Sequence, residues 1–234
     1  MDCIIFLTHN FQKEFLNTLK KIDKDTDVKN FEVIVLFDNN CHYDTNINSM
    51  FENIKIVRIN KIITTYDYAG HTMYINYFKQ NYNTIQNYNH IWIIENDVYF
   101  PDSFIKFINK HKVYNYDLLV SEYGTRSLTW GWTPTLRGFT NVYNIGILAV
   151  IMRFSRELLY KLIDNIDVNY FGFLEAIVPH ICLENKLSIQ QFLPEMCGIL
   201  TVDNNLPLLQ LIRDDIENNT KKYVEYKIYH PIKM

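Results

Sequence analysis

Two carboxylates, Glu95 and Asp97, stand where an apolar run ends, in the stretch HIWIIENDVYFPDSF at residues 90–104. Bulky apolar residues from Ile91 to Ile94, bounded by polar ones, read as a strand buried on both faces. Carboxylates at the end of such a strand are costly to desolvate unless a metal ion, a ligand hydroxyl or solvent in a cleft compensates them. A surface turn with two solvated acids satisfies the same local pattern. The surrounding elements must decide between the two.

Those elements alternate regularly in the first half of the chain. CIIFLTH (3–9) is a short apolar run. A helical stretch follows with Phe11, Phe15, Leu19 and Ile22 on one face. FEVIVLF (31–37) and IKIVRI (54–59) are further strands. Residues 69–81 read as a helix turning Met73, Tyr74, Tyr77 and Phe78 to the core, and IWII is the fourth strand. This β-α-β-β-α-β order implies a largely parallel sheet with helices against it. In such sheets ligands sit beyond the carboxyl ends of the strands. Three of these ends carry polar groups: Thr8/His9/Asn10, Asp38/Asn39/Asn40 and Glu95/Asn96/Asp97. Their convergence on one edge favours a site over a solvated turn.

The second half reads differently. DLLVSEY (117–123) and YNIGILAVIMRFS (143–155) are strands, and GTRSLTWGWTPTLRG (124–138) between them is a loop. RELLYKLIDNI is a helix. FGFLEAIVPHICLENKL (171–187) is helical, with Pro179 as a kink or a junction between two shorter helices. VEYKIYHPIKM closes the chain with a strand ending near His230.

Bulk properties exclude several classes. The 234 residues suffice for one well-packed domain. A formal net charge of −3 gives no basic footprint, so nucleic acid is not an expected partner. No apolar run reaches the roughly 20 residues that span a bilayer, and the N-terminus lacks the features of a signal peptide. The four cysteines, Cys3, Cys41, Cys182 and Cys197, form no CxxC pair and suit a reducing compartment. A cytoplasmic protein is expected. No GxxxxGK[ST] or GxGxxG occurs, which argues against P-loop and dinucleotide chemistry.

With the two opening strand–helix units, END after a buried strand, and the later blocks GILAVIMRFSRELL, FGFLEAIVPHICLENKL and YHPIK, the chain resembles a nucleotide-sugar glycosyltransferase of the GT-A fold. Such proteins occur in large DNA viruses and bacterial polysaccharide loci. The resemblance spans essentially the whole chain. It departs from the family's Asp-x-Asp motif at its first member, Glu95, which makes a Glu-x-Asp variant. It implies an α/β fold with a GT-A-like, Rossmann-type mixed and mainly parallel sheet flanked by helices. Residues 1–234 would form one domain, with a nucleotide-sugar half (1–100) and an acceptor half (101–234). The implied reaction is metal-dependent, inverting transfer of a sugar from a UDP- or GDP-sugar to a hydroxyl of a glycan acceptor.

The resemblance also assigns roles. Mn²⁺ or Mg²⁺ would neutralise the diphosphate leaving group. Asp97 would ligate it directly, and Glu95 would bind metal-bound water or the donor ribose. His230 is the candidate further ligand, or else an exposed histidine near the terminus. Thr8, Asn10 and Asp38 would face the nucleoside, although an Asp/Asn turn explains Asp38 equally well. Glu175, opening a helix, would be the general base, with Glu122 as second candidate. Apolar flanks would raise its pKa if it is buried, and the helix dipole would oppose that. The structural alternative is a Glu in a first helical turn. Trp130 and Trp132 would form an acceptor wall, or anchor their loop to the core. Arg126, Arg137 and Lys61 are available to diphosphate oxygens, and DYAGH (67–71) precedes a helix that could receive a phosphate. Two other readings remain. One is a noncatalytic carbohydrate- or nucleotide-binding protein on a degenerate transferase scaffold. The other is a sugar-phosphate nucleotidyltransferase, disfavoured because THNFQKEF after the first strand lacks glycine. A metal-dependent hydrolase has little support from one acidic triplet.

Overall fold

Side chains alternate across a strand, so a strand apolar at every position must be covered on both faces. The computed structural model describes residues 1–39, 45–60, 72–100, 103–127, 130–166, 168–200, 207–218 and 227–230. Its central sheet contains β1 (Asp2–Thr8), β2 (Phe31–Asp38), β3 (Ile54–Ile59), β4 (His90–Glu95), β5 (Leu118–Thr125), β6 (Ile145–Ser155) and β7 (Ile189–Gln191). The spatial order is β3-β2-β1-β4-β6-β5-β7. β3, β2, β1 and β4 pair in parallel, as do β5 and β7, while β6 runs against both its neighbours. This is the mixed, mainly parallel sheet flanked by helices expected from the sequence.

The two faces carry separate cores. Cys3, Ile5, Leu7, Ile91 and Ile93 pack with α2 (Thr72–Gln80), α4 (Arg156–Asn165) and α5 (Leu174–Glu184). Ile4, Phe6, Trp92 and Ile94 pack with α1 (Lys13–Asp23) and α3 (Phe104–His111). Phe15, Leu19 and Ile22 of α1 are buried, as are Met73, Tyr74, Tyr77 and Phe78 of α2. Residues 69–71 of the expected second helix lie outside the described residues. Cys3 and Cys182 are buried free thiols, Cys197 is a half-buried one, and Cys41 lies outside the described residues.

Three features differ from the sequence reading. Pro179 neither ends α5 nor divides it: Leu174–Glu184 is one helix. The helical hydrogen bond that proline forgoes is the one to the Glu175 carbonyl, in the first turn, where its loss disturbs the helix least. α3 was not expected from SFIKFINKH, although Ser103 caps it by accepting from the Lys106 N–H (3.3 Å). β7, β8 (Cys197–Leu200) and α6 (Pro207–Asn218) were also missed, while the closing strand is short, β9 (Ile228–His230).

Register sets the shape of the functional edge. Leu7 lies opposite Glu95 and Thr8 opposite Phe37, so β1, β2 and β4 end together. β6 does not stop there. Ile94 pairs with Ile151, and β6 begins at Ile145 paired to Thr125 of β5. The β5–β6 ribbon therefore rises about 16 Å beyond the end of β4, at ~3.3 Å per residue. A bulge between Val120 and Glu122 bends it.

At the opposite edge a buried cation stitches the layers. Arg153 of β6 is fully buried and donates to the carbonyls of His111 (2.7 Å), Tyr114 (2.8 Å) and Tyr116 (3.0 Å). Its guanidinium lies 5.9 Å from the Trp92 ring centroid. Burial lowers its pKa to about 10 against the opposing charges of Asp2 and Asp117, so it stays protonated at neutral pH. Arg153→Leu is expected to cost about 3 kcal/mol, because three carbonyls lose a charged donor. Arg153→Lys should recover only part of this, since a point cation cannot reproduce the planar fork. Denaturant unfolding of the three proteins checks both expectations.

Candidate functional site at the carboxyl edge of the sheet

The acidic triplet forms a turn at the end of β4, closed by the Val98 N–H donating to the Glu95 carbonyl (3.2 Å). Asp97 is nearly buried, at 9% exposure, and Glu95 is half-buried. Their compensation comes from the far end of the chain. Nε2 of His230 lies 3.1 Å from Glu95 Oε2 and 3.0 Å from Asp97 Oδ1. β9 delivers this histidine. The Tyr99 N–H donates to the Tyr229 carbonyl (2.8 Å) and the Tyr229 N–H to the Tyr99 carbonyl (3.1 Å), while β9 also pairs with β8. Gly198 allows the close approach, since a Cβ there would meet the Tyr229 ring at 2.4 Å.

His230 is itself buried. Burial alone would push its pKa down, but the Asp97 and then the Glu95 contacts outweigh it and hold the pKa at about 9. At neutral pH the site is an imidazolium between two carboxylates. The three ligating atoms lie within 4.8 Å of one another. Two hard carboxylate oxygens and one imidazole nitrogen form a donor set suited to a divalent first-row ion such as Mn²⁺. Contacts near 3.0 Å also match neighbouring ligands around an ion bonded at about 2.1 Å. A divalent ion there would take the place of the imidazolium proton.

Beside the triad, Thr8 is buried and Asp38 half-buried, each at the end of its strand. The Thr8 hydroxyl is engaged within its own turn, donating to the Asn10 carbonyl and accepting from the Asn10 N–H (3.2 Å). Asn10 Oδ1, by contrast, is buried and accepts no hydrogen bond. A buried polar atom without a partner is an uncommon and costly feature.

The loop between β5 and β6 and the start of α5 lie at this same edge, because β5 ends here, β6 departs from here, and α4 returns the chain here. Trp132 Nε1 donates to Glu175 Oε2 (2.8 Å), joining the candidate base to the candidate acceptor wall. Trp130 packs against Gly146, where a Cβ would meet its ring at 2.2 Å, with the Arg126 guanidinium 5.5 Å from its centroid. Both tryptophans therefore hold the loop to the core. Glu122 is paired with Arg126, so a cation already occupies it. Arg137 donates to the carbonyls of Pro134 (2.6 Å) and Leu136 (2.8 Å) and braces its own loop. Lys61 and DYAGH lie outside the described residues. The sequence reading missed Tyr99 and Tyr229, whose signal was an aromatic beside each ligand segment, in VYF and IYH.

No protein-family model matches this chain, and no curated protein does. Among solved structures it is similar to S. aureus TarS 1–349, with 17% identity and a TM-score of 0.36 over 68% of this chain and 48% of that one. It is also similar to A197 from STIV, with 10% identity and a TM-score of 0.38 over 81% and 80%. The chain thus spans about half of the TarS structure. These are distant matches. No helix among the described residues is long and apolar enough to cross a membrane.

A testable consequence follows from His230. A folded pKa raised above the ordinary value of about 6.5 adds stability that is complete below pH ~6.5 and lost as pH rises through about 9. Chelator-treated protein should therefore melt at a lower temperature at pH 9.5 than at pH 6.5. In His230→Asn most of that difference should vanish, as thermal melts across the range would show.

Proposed function

We propose that the protein is a metal-dependent glycosyltransferase that moves a sugar from a UDP- or GDP-sugar to a hydroxyl of a glycan, with inversion. The observation that carries this reading is the assembly of Glu95, Asp97 and His230 on the carboxyl edge of a mainly parallel sheet. Ligands of α/β sheets bind at that edge. The family resemblance read from the sequence supplies the substrate class.

Glu95, Asp97 and His230 would hold Mn²⁺ or Mg²⁺, which supplies charge neutralisation for the departing diphosphate. Asp38 and Asn10 would contact the nucleoside. The buried, unpaired Asn10 Oδ1 supports this, because an N–H or O–H of a bound nucleoside would satisfy it. Glu175 would accept the proton of the acceptor hydroxyl. The acceptor oxygen then bonds to the anomeric carbon as the bond to the diphosphate breaks. That electron pair leaves with the nucleoside diphosphate, and Glu175 ends as a carboxylic acid. Glu175 is preferred to Glu122 as base because Glu122 is committed to Arg126. The β5–β6 ribbon and its loop would wall the acceptor side.

Calorimetric titration with UDP and GDP, with Mn²⁺ and with chelator, tests the reading. Wild type should bind one diphosphate selectively and only with metal. Asp97→Ala should lose more than the roughly 10–100-fold that outer-shell changes cost at metal sites. Binding indifferent to both metal and substitution would remove the metal mechanism. Absence of any nucleotide binding would favour the noncatalytic scaffold.

A further inference from the structure

The contact between Trp132 and Glu175 carries a second inference, which rests on the reading of Glu175 as base. We propose that Trp132 is a positioning residue: its indole N–H holds the Glu175 carboxylate in register with the acceptor hydroxyl, and the tryptophan itself takes no proton. An acceptor-wall role would need a free indole face, whereas a positioning role needs a rigid indole and a short bond to the reacting group. The structure supplies the second set of features.

Glu175 is the second residue of α5, and Phe173, the residue that precedes the helix, makes no side-chain cap. A glutamate side chain there has three rotatable bonds to fix. Trp132 provides an anchor at 2.8 Å, a charge-assisted bond if the carboxylate is ionised. The tryptophan is in turn fixed from three directions. Its ring stacks on Phe173, with centroids 3.8 Å apart and planes inclined by 23°. Its carbonyl accepts from the Thr135 N–H (3.0 Å) and the Thr135 hydroxyl (2.6 Å). The Thr135 hydroxyl oxygen accepts from the Phe173 N–H (3.2 Å), which ties the turn back to the start of α5. Gly172, at φ +133°, leaves room for this approach, since a Cβ there would lie 3.0 Å from Thr135 Oγ1. Trp132 and Glu175 are thus parts of one braced unit, 43 residues apart in the chain.

The chemistry suits the base. An indole nitrogen donates and never accepts, so it cannot compete for the acceptor's proton. It engages one of the roughly four acceptor positions of a carboxylate, so proton uptake does not require breaking the bond. Orientation of this kind acts on the turnover step and not on donor affinity.

The test follows nucleoside diphosphate release from UDP-glucose, UDP-N-acetylglucosamine and GDP-mannose with Mn²⁺, water serving as acceptor. Trp132→Phe keeps an aromatic ring beside Phe173 and removes the N–H donor. It should lower kcat by roughly 10–100-fold and leave the donor KM and calorimetric diphosphate binding within about twofold of wild type. Glu175→Gln should lose at least as much, and Trp132→Phe should add nothing in that background. Apart from activity, the indole ¹H–¹⁵N resonance of Trp132, assigned by its disappearance in Trp132→Phe, should shift in Glu175→Gln. Wild-type turnover with an unimpaired Trp132→Phe, additive effects in the double variant, weakened donor binding, or an unmoved resonance would each overturn the positioning role and leave the transferase reading standing. No turnover by wild type with any donor would overturn both.

Discussion

Two backbone hydrogen bonds between Tyr99 and Tyr229 decide whether this molecule has a site at all. They dock the closing strand against the segment after β4 and so bring His230 to carboxylates 135 positions away in the case of Glu95. Without that clasp, Glu95 and Asp97 would be two neighbouring acids at the end of a buried strand, repelling each other in a partly desolvated turn. With it, they surround a cation. The clasp in turn needs the short β8 pairing and the space at Gly198 that admits the Tyr229 ring. A local electrostatic problem set by residues 95–97 is thus solved by global topology.

The sheet divides its labour between its two edges. At the carboxyl edge, polar groups keep unused capacity, as the unpaired Asn10 Oδ1 shows. At the opposite edge Asp2 Oδ1, His90 Nδ1 and Arg153 Nε are also buried without a hydrogen-bond partner, but other polar groups there hold elements together. Arg153 collects three carbonyls. Asp117 accepts from the Ser188 N–H (2.9 Å), the Ser188 hydroxyl (2.8 Å) and the Ser155 hydroxyl (2.8 Å). Burial would raise the Asp117 pKa, yet these bonds bring it below the usual carboxylate range. Satisfied charges of this sort make a rigid base.

Much of the architecture was legible because the first four strands are apolar at nearly every position, and only a doubly covered sheet buries such strands. The convergence of Thr8, Asp38 and Glu95 followed from parallel order alone. What stayed hidden depended on contacts between distant segments. β7 and β8 are three and four residues long, too short for any periodicity to register. SFIKFINKH carries Phe104, Ile105, Phe107 and Ile108 at helical spacing behind a capping Ser103, but it is only nine residues long, too short for that period to stand out. Pro179 invited a break, yet the bond it forgoes belongs to the helix's opening turn. The tryptophans were visible as a pair, but their assignment to a wall or an anchor turns on Gly146 and Phe173, which no local pattern links to them.

The histidines show most clearly why residue type alone cannot mark a site. His111 and His180 are buried like His230, one at the end of α3 and the other within α5. His111 contacts the Phe107 carbonyl through Nδ1 (2.9 Å) and accepts from the Leu193 N–H through Nε2 (3.2 Å). His180 does the same with the Ala176 carbonyl (2.7 Å) and the Tyr143 N–H (2.9 Å). A ring nitrogen that receives an N–H must be unprotonated, so both rings are neutral, and burial lowers both pKa values. His230 is equally desolvated but faces two carboxylates, and its pKa moves the other way. Two of these rings join backbone segments and are spent in doing so. The third is held charged by two acids, and that pairing, not burial or residue type, sets it apart from the other two.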